Sequence, residues 1–185
     1  SFLAPFKLYR NECRRITWKA QVVREDFGLV ASVTLESMLA LRSRPQEVVR
    51  HFSGMVHLSP EEETEDEPTV QPPDWNGAYT VAPEDIYRLY FHGPSFQVLD
   101  GVQRSGEAVL GKLRADLPDI TADDAHLITT PVLVELCLQT AGVWEIGATG
   151  SMALPHSIGS LKIYQPKKNG EPIFAEVIPT QAEDG

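Results

Sequence analysis

The stretch over 130–146 constrains the fold more than any other part of the chain. Thr130-Pro131 reads as a helix start, because a hydroxyl can cap the first free amides and proline fits the first turn without losing a bond. Val132, Leu133, Leu136, Leu138, Val143 and Ile146 then make the helix apolar around most of its circumference. A helix lying on a surface needs one apolar stripe, whereas one that is apolar nearly all round has to be enclosed. The expected fold is therefore α+β, with an antiparallel sheet wrapped around a central helix at 130–146.

Strand patterns supply the sheet. Ile16, Trp18, Ala20 and Val22 alternate with Thr17, Lys19 and Gln21 over 15–25, and Leu29, Ala31, Val33 and Leu35 repeat the pattern after Asp26-Phe27-Gly28, a turn signal. A third strand is expected over 48–58, with Phe52, Val56 and Leu58 on one face, so residues 1–60 read as an antiparallel meander. Residues 61–83, with Pro68, Pro72-Pro73 and Asn76-Gly77, favour neither helix nor strand and read as a linker. Beyond it, over 84–185, the expectation is a short helix at 84–90 begun by Pro83, a hairpin of strands 96–103 and 107–114 around Ser105-Gly106, the long helix, and strands at 160–165 and 173–178. No internal repeat is visible.

The formal charge of −10 is largely local, since Glu61, Glu62, Glu63, Glu65, Asp66 and Glu67 form a run without a base, and removing it leaves −4. Such a run cannot bury itself and marks a solvated segment. An acidic chain without a basic stripe argues against nucleic-acid binding. No apolar run approaches the roughly 18 residues that a membrane span requires, and the N-terminus lacks the pattern of a signal peptide. The expected location is the cytoplasm. Cys13 and Cys137 are the two cysteines; no disulfide is expected, and Cys137, inside an apolar run, reads as a small buried hydrophobe. The scattered histidines make no metal set. The chain opens on Ser-Phe-Leu-Ala-Pro and closes on Ala-Glu-Asp-Gly after a strand-like run, and both ends read as cut from something longer.

Two places could carry chemistry. Glu135 and Gln139 lie four apart and so share one face of the long helix. They are either a polar pair on a wet stripe or a functional pair, and in the second case an apolar pocket would push the carboxyl toward a usable proton donor. The other place is Tyr90-Phe91-His92-Gly93-Pro94-Ser95-Phe96-Gln97, a tight turn feeding a strand. Gly93 would permit close approach of a ligand and Pro94 would stiffen the turn, while His92 is structural or catalytic.

The run Phe91-His92-Gly93-Pro94-Ser95-Phe96-Gln97 resembles the Gly-Pro-x-Phe/Tyr motif that opens the second hotdog of polyketide synthase dehydratase domains, and Phe-His before Gly-Pro is similar to iterative, polyunsaturated-fatty-acid or enediyne-type synthases. Thr130-Pro-Val-Leu-Val-Glu-Leu-Cys-Leu-Gln139 resembles the family's His-Pro-x-Leu-x-Asp-x-x-x-Gln helix, with Glu135 at the acid position and Gln139 matching.

The resemblance implies a double hotdog: residues 1–60 the remainder of the first hotdog, 61–83 the linker and 84–185 the second. It implies a dehydratase that removes water from a β-hydroxyacyl chain on an acyl carrier protein to give an enoyl thioester. Glu135 would then be the acid and Gln139 would hold the substrate hydroxyl or the acid. Tyr90, His92, Gly93, Pro94 and Phe96 would bind the substrate, the turn at Gly93-Pro94 lining the acyl tunnel and Tyr90 adding a hydrogen bond. No cofactor is implied beyond the carrier's phosphopantetheine, and the partners implied are the carrier protein, other synthase domains and a homodimer formed through the parent synthase.

Two departures stand against this pattern. The family's base-carrying His-x-x-x-Gly-x-x-x-x-Pro motif is not matched: His51 is nine before Pro60, but Gly54 comes one position early, so the base is expected upstream of Ser1. Glutamate also stands at position 135 where aspartate is usual. The alternatives are a catalytically inactive structural or acyl-binding module and a hotdog thioesterase using Glu135.

Overall fold

The computed structural model describes residues 1–7, 13–26, 28–39, 47–58, 73–117, 131–162 and 171–180. The acidic run, Thr130 and Phe27 lie outside the described residues. The chain forms two compact units, one of residues 1–68 with 155–161, the other of residues 69–154 with 162–185.

In the first unit, β1 (Ile16–Glu25), β2 (Gly28–Leu39) and β3 (Glu47–Leu58) form an antiparallel sheet in the order β1-β2-β3. Trp18 faces Leu35 and Leu35 faces Phe52, so the alternating apolar residues share one face, as the period-two pattern requires. A register shift at Leu35/Glu36 leaves His51 without a direct cross-strand partner. His51 is 1% exposed, its Nε2 lies 2.8 Å from the Ser37 hydroxyl and its Nδ1 3.0 Å from the Ala4 carbonyl, and the Phe6 ring meets it edge-on. His51 is thus a pinned core histidine.

The second unit holds α1 (Pro83–Leu89), a 3-10 turn at Pro94–Phe96, β4 (Leu99–Ser105), β5 (Ala108–Leu113), α2 (Pro131–Thr149) and β6 (Phe174–Val177), with sheet order β4-β5-β6. Pro83 occupies the first turn of α1, with Glu84 and Asp85 beside it and Arg88 in the last turn, each on the side the helix dipole favours. Ile86 and Tyr90 pack with Val98, Leu99, Val102, Val109, Leu113, Leu136 and Ala175 into one core. The sheet packed on its long helix makes this an α+β, hotdog-type fold, as expected.

Several expectations need correction. Strand β4 begins at Leu99 rather than 96, because Pro94 favours a 3-10 turn through Phe96. The helix α2 continues to Thr149, beyond 146. It buries one face, Leu136, Gln139 and Thr140, and its other apolar residues, Val132, Leu133, Val143 and Ile146 among them, are only half-buried. Cys137 is exposed, because it points away from that buried face; Cys13 is exposed too, and neither is in a disulfide. Residues 160–162 form no strand, and 163–165 lie outside the described residues. The last part of the expected linker is docked rather than free. Val81 bridges to Val102, Gln103 binds the Asp74 carbonyl and the Asn76 amide, and the Trp75 ring packs on Tyr79 and Phe174.

Candidate active site

Helix α2 crosses β5 at close range because position 111 has no side chain: a Cβ on Gly111 would collide with the Thr140 hydroxyl. That approach turns Leu136, Gln139 and Thr140 inward. Gln139 is 3% exposed, and a buried amide must have its hydrogen bonds met. Its Nε2 donates to the Phe96 carbonyl at 2.7 Å and to Glu135 Oε1 at 2.7 Å, and its Oε1 accepts from the Tyr87 hydroxyl at 2.8 Å. A carbonyl can only accept, so Phe96 fixes which end of the amide is nitrogen. The Tyr87 oxygen in turn accepts the Leu99 amide at 2.7 Å. Burial is the main reason the Tyr87 phenol is pushed up to about 12.

Tyr90, at the end of α1, is buried, and its hydroxyl donates to the Gln139 backbone carbonyl at 2.8 Å. Gly142 makes room for it, since a Cβ there would meet that hydroxyl. Burial first, and the neighbouring Tyr87 second, raise the Tyr90 phenol above its ordinary value. Its proton is committed to the helix backbone.

His92 follows in the loop, its ring stacked on Phe91 at 4.7 Å and tilted against Tyr90 at 5.4 Å. Gln97 holds the loop by donating to the His92 carbonyl at 3.0 Å. Nε2 of His92 lies 3.0 Å from Glu135 Oε1, with the side chains 19% and 22% exposed. Nδ1 is buried and has no hydrogen-bond partner among the described residues. Gly93 is extended, at φ −71°, so the turn does not demand glycine there, but open space lies where its Cβ would be. Pro94 starts the 3-10 turn, and the Phe96 side chain is exposed while its carbonyl serves Gln139.

The structure thus brings Glu135, Gln139, Tyr90, His92 and the Phe96 backbone together, within the second unit. The wet-stripe alternative for Glu135 and Gln139 does not hold, because Gln139 is buried. Tyr87 escaped the sequence reading: nothing in the pattern of α1 marks which of its aromatic groups sends a hydroxyl inward. The glycines at 111 and 142 were the available signal, each opposite a polar side chain. Chemically the cluster presents a half-buried carboxyl with one oxygen hydrogen-bonded by Gln139 and close to His92 Nε2. Its other oxygen, Oε2, has no hydrogen-bond partner among the described residues. Elsewhere in this unit a cavity of about 300 Å³ is lined by Val81, Val102, Val109, Val143 and Trp144 among others, and includes none of the cluster's residues.

The family model described as the polyketide synthase dehydratase N-terminal domain matches residues 60–184. No curated protein sequence matches. Among solved structures, the bifunctional dehydratase-cyclase domain in ambruticin biosynthesis is similar at 21% identity and a TM-score of 0.42, over 71% of this chain and 47% of that one. The chain therefore spans about half the length of that domain. With more than half of its residues matched by the family model, the chain belongs to the polyketide synthase dehydratase family.

Proposed function

We propose that this chain carries the acid half of a dehydratase site that removes water from a β-hydroxyacyl thioester borne on an acyl carrier protein. In this reading residues 84–185 are the second hotdog of a double hotdog. The matching family is described as an N-terminal domain; in favour of the second hotdog stand the motifs at 91–97 and 130–139. The observation that carries the function is the Glu135 carboxyl, half-buried, with one oxygen hydrogen-bonded by Gln139 and lying 3.0 Å from His92 Nε2.

The reaction needs a base for the α-proton and an acid for the leaving hydroxyl. The α-proton goes to a histidine of the first hotdog, the electrons of that C–H bond form the new double bond, and the C–O bond to the β-carbon breaks. Glu135 gives its proton to the departing oxygen, which leaves as water. No electron acceptor or metal enters the balance, so no cofactor is required beyond the carrier's pantetheine arm. The reading implies the other synthase domains as neighbours, a homodimer formed through the parent synthase, and the cytoplasm as its location.

The test follows loss of water by mass from a β-hydroxyacyl pantetheine thioester, using the full-length protein. Glu135→Ala is expected to slow dehydration by about 10²–10⁴-fold, the usual contribution of a general acid. Dehydration unchanged in that variant sinks the assignment. The glutamate at an aspartate position favours one rival, a non-catalytic module. That rival predicts an intact substrate with the carrier protein still bound.

A further inference from the structure

Resting on that reading, we infer that Tyr87 is a positioning residue for the acid. Its hydroxyl fixes the plane of the Gln139 amide, and the amide holds the Glu135 carboxyl.

Two tyrosine hydroxyls from 83–90 reach Gln139, and they end on different parts of it. Tyr90 donates to the backbone carbonyl at 2.8 Å, which ties the end of α1 to α2 and leaves the side chain alone. Tyr87 donates to the side-chain Oε1 at 2.8 Å. At the opposite end of the amide, Nε2 donates to the Phe96 carbonyl at 2.7 Å and to Glu135 Oε1 at 2.7 Å. Both hydrogens and the oxygen of the amide are thus engaged, by three separate partners.

Tyr87 is keyed to the oxygen end. Its own oxygen already accepts the Leu99 amide at 2.7 Å, so what it offers Gln139 is its proton, and only the amide oxygen can take that. Burial pushes the phenol up to about 12, so it stays a donor throughout the neutral range. The Tyr87 ring meets the Tyr90 ring edge-on at 6.4 Å, next to the buried Ile86, and this packing holds the group from which the hydroxyl projects. The path through Tyr87 and Gln139 therefore starts on the backbone of β4 and ends 2.7 Å from the acid.

A bond at Phe96 alone would let the amide pivot about that contact and carry Nε2 away from Glu135. The second bond, at the opposite end, removes the pivot. Glutamate needs this more than the aspartate of the motif does, because it adds a methylene and a torsion between the helix and the carboxyl. Each free torsion widens the spread of positions the acid can take, and orientation of the reacting group is a large part of a catalytic rate.

Tyr87→Phe, Gln139→Leu and the double variant of the full-length protein test this, with dehydration of a β-hydroxyacyl pantetheine thioester and the urea midpoint as readouts. Phenylalanine keeps the ring and removes only the hydroxyl. In Tyr87→Phe, kcat is expected to fall about 10-fold with KM little changed, part of the ~10²-fold loss that a misplaced reacting group brings. Gln139→Leu is expected to lose about 10²-fold, and the double variant to be no slower, because Tyr87 then has no amide to orient. The urea midpoint of the double variant should drop by less than the sum of the two single drops.

Losses in kcat that multiply in the double variant overturn the proposal, since Tyr87 would then act by another route. So does an unchanged kcat in Tyr87→Phe, or a rise in KM alone, which would put the hydroxyl on the substrate. If Gln139→Leu fails to fold, Gln139→Met takes its place in the cycle. A wild-type protein that does not dehydrate removes the dehydratase reading and leaves the path to the midpoints: drops that are less than additive keep it, and additive drops overturn it.

Discussion

The two sheets of this chain are both antiparallel and three-stranded, yet the edge strand β1 of one and the central strand β5 of the other are buried very differently. In β1 every one of the ten residues is exposed, and Trp18 keeps 67% of its surface. In β5 Val109, Leu110, Gly111 and Leu113 are all buried, and Ala175 of β6 joins the core beside them. The difference is the helix. The second sheet has α2 drawn close over Gly111, whereas the first unit holds no helix among its described residues. Alternation therefore specifies that a strand forms and which residues share a face, while burial depends on whether a partner covers that face.

The comparison breaks most readily at Leu136, which is 1% exposed at the centre of the second core. Leu136→Ala is expected to destabilise by about 2–5 kcal/mol, as transfer and cavity costs add. Trp18→Ala is expected to stay within about 0.5 kcal/mol, the range of exposed sites. Urea unfolding of both variants measures the contrast, and equal losses would mean that Trp18 is covered in solution. Next in size is Gly111→Ala, whose Cβ would collide with the Thr140 hydroxyl. Overpacking there is expected to cost about 1–3 kcal/mol. Adding Thr140→Ala should recover much of that cost, so a double-mutant cycle without coupling would refute the close approach.

The same contrast separates what the sequence discloses from what it hides. Strands β1, β2 and β3 fall within a few residues of their expected places, because period two survives whether or not a face is covered. That Glu135 and Gln139 share a helix face was legible from i,i+4 spacing, while their inward turn was not. Nor was the hydrogen-bond path that fixes them. Tyr87, the Phe96 carbonyl and Leu99 meet Gln139 or one another only after the 94–96 turn has folded, and a 3-10 turn leaves no periodic trace. The half-buried flanks of α2 show a further limit. Apolar residues all round a helix announce a need for cover, and the number of strands that provide it is a tertiary outcome.

A smaller effect is expected in the first unit. His51→Phe keeps a ring beside Phe6 but abandons the Ser37 hydroxyl and the Ala4 carbonyl. Leaving these polar groups unpaired is expected to cost about 1–3 kcal/mol. Hydrogen exchange should place the lost protection in β1–β3 alone. Loss of protection in β4–β6 as well would show that the two units unfold together.

The finest distinction is by pH. Lys19, hydrogen-bonded to the Glu36 carboxylate, is the main cause that holds that carboxyl below its ordinary value of 4.5, with Arg50 adding to it. A depressed carboxyl contributes stability that is complete above its unfolded value and is lost as pH falls through the folded one, so the first unit should weaken in acid. Tyr87 has the opposite sign. Burial raises it from 10.0 to about 12, so its contribution is complete below pH 10 and is lost as pH rises through 12. Tyr90 shifts the same way, and the second unit should therefore weaken in alkali. Urea midpoints of two single-tryptophan variants, one keeping Trp18 and one keeping Trp144, follow the units separately. The Trp18 midpoint should drop toward acid and flatten in Lys19→Met, and the Trp144 midpoint should drop toward alkali and flatten in Tyr87→Phe. Midpoints that move together at both extremes would make the two sheets one cooperative body, and the contrast in their burial would then have no thermodynamic counterpart.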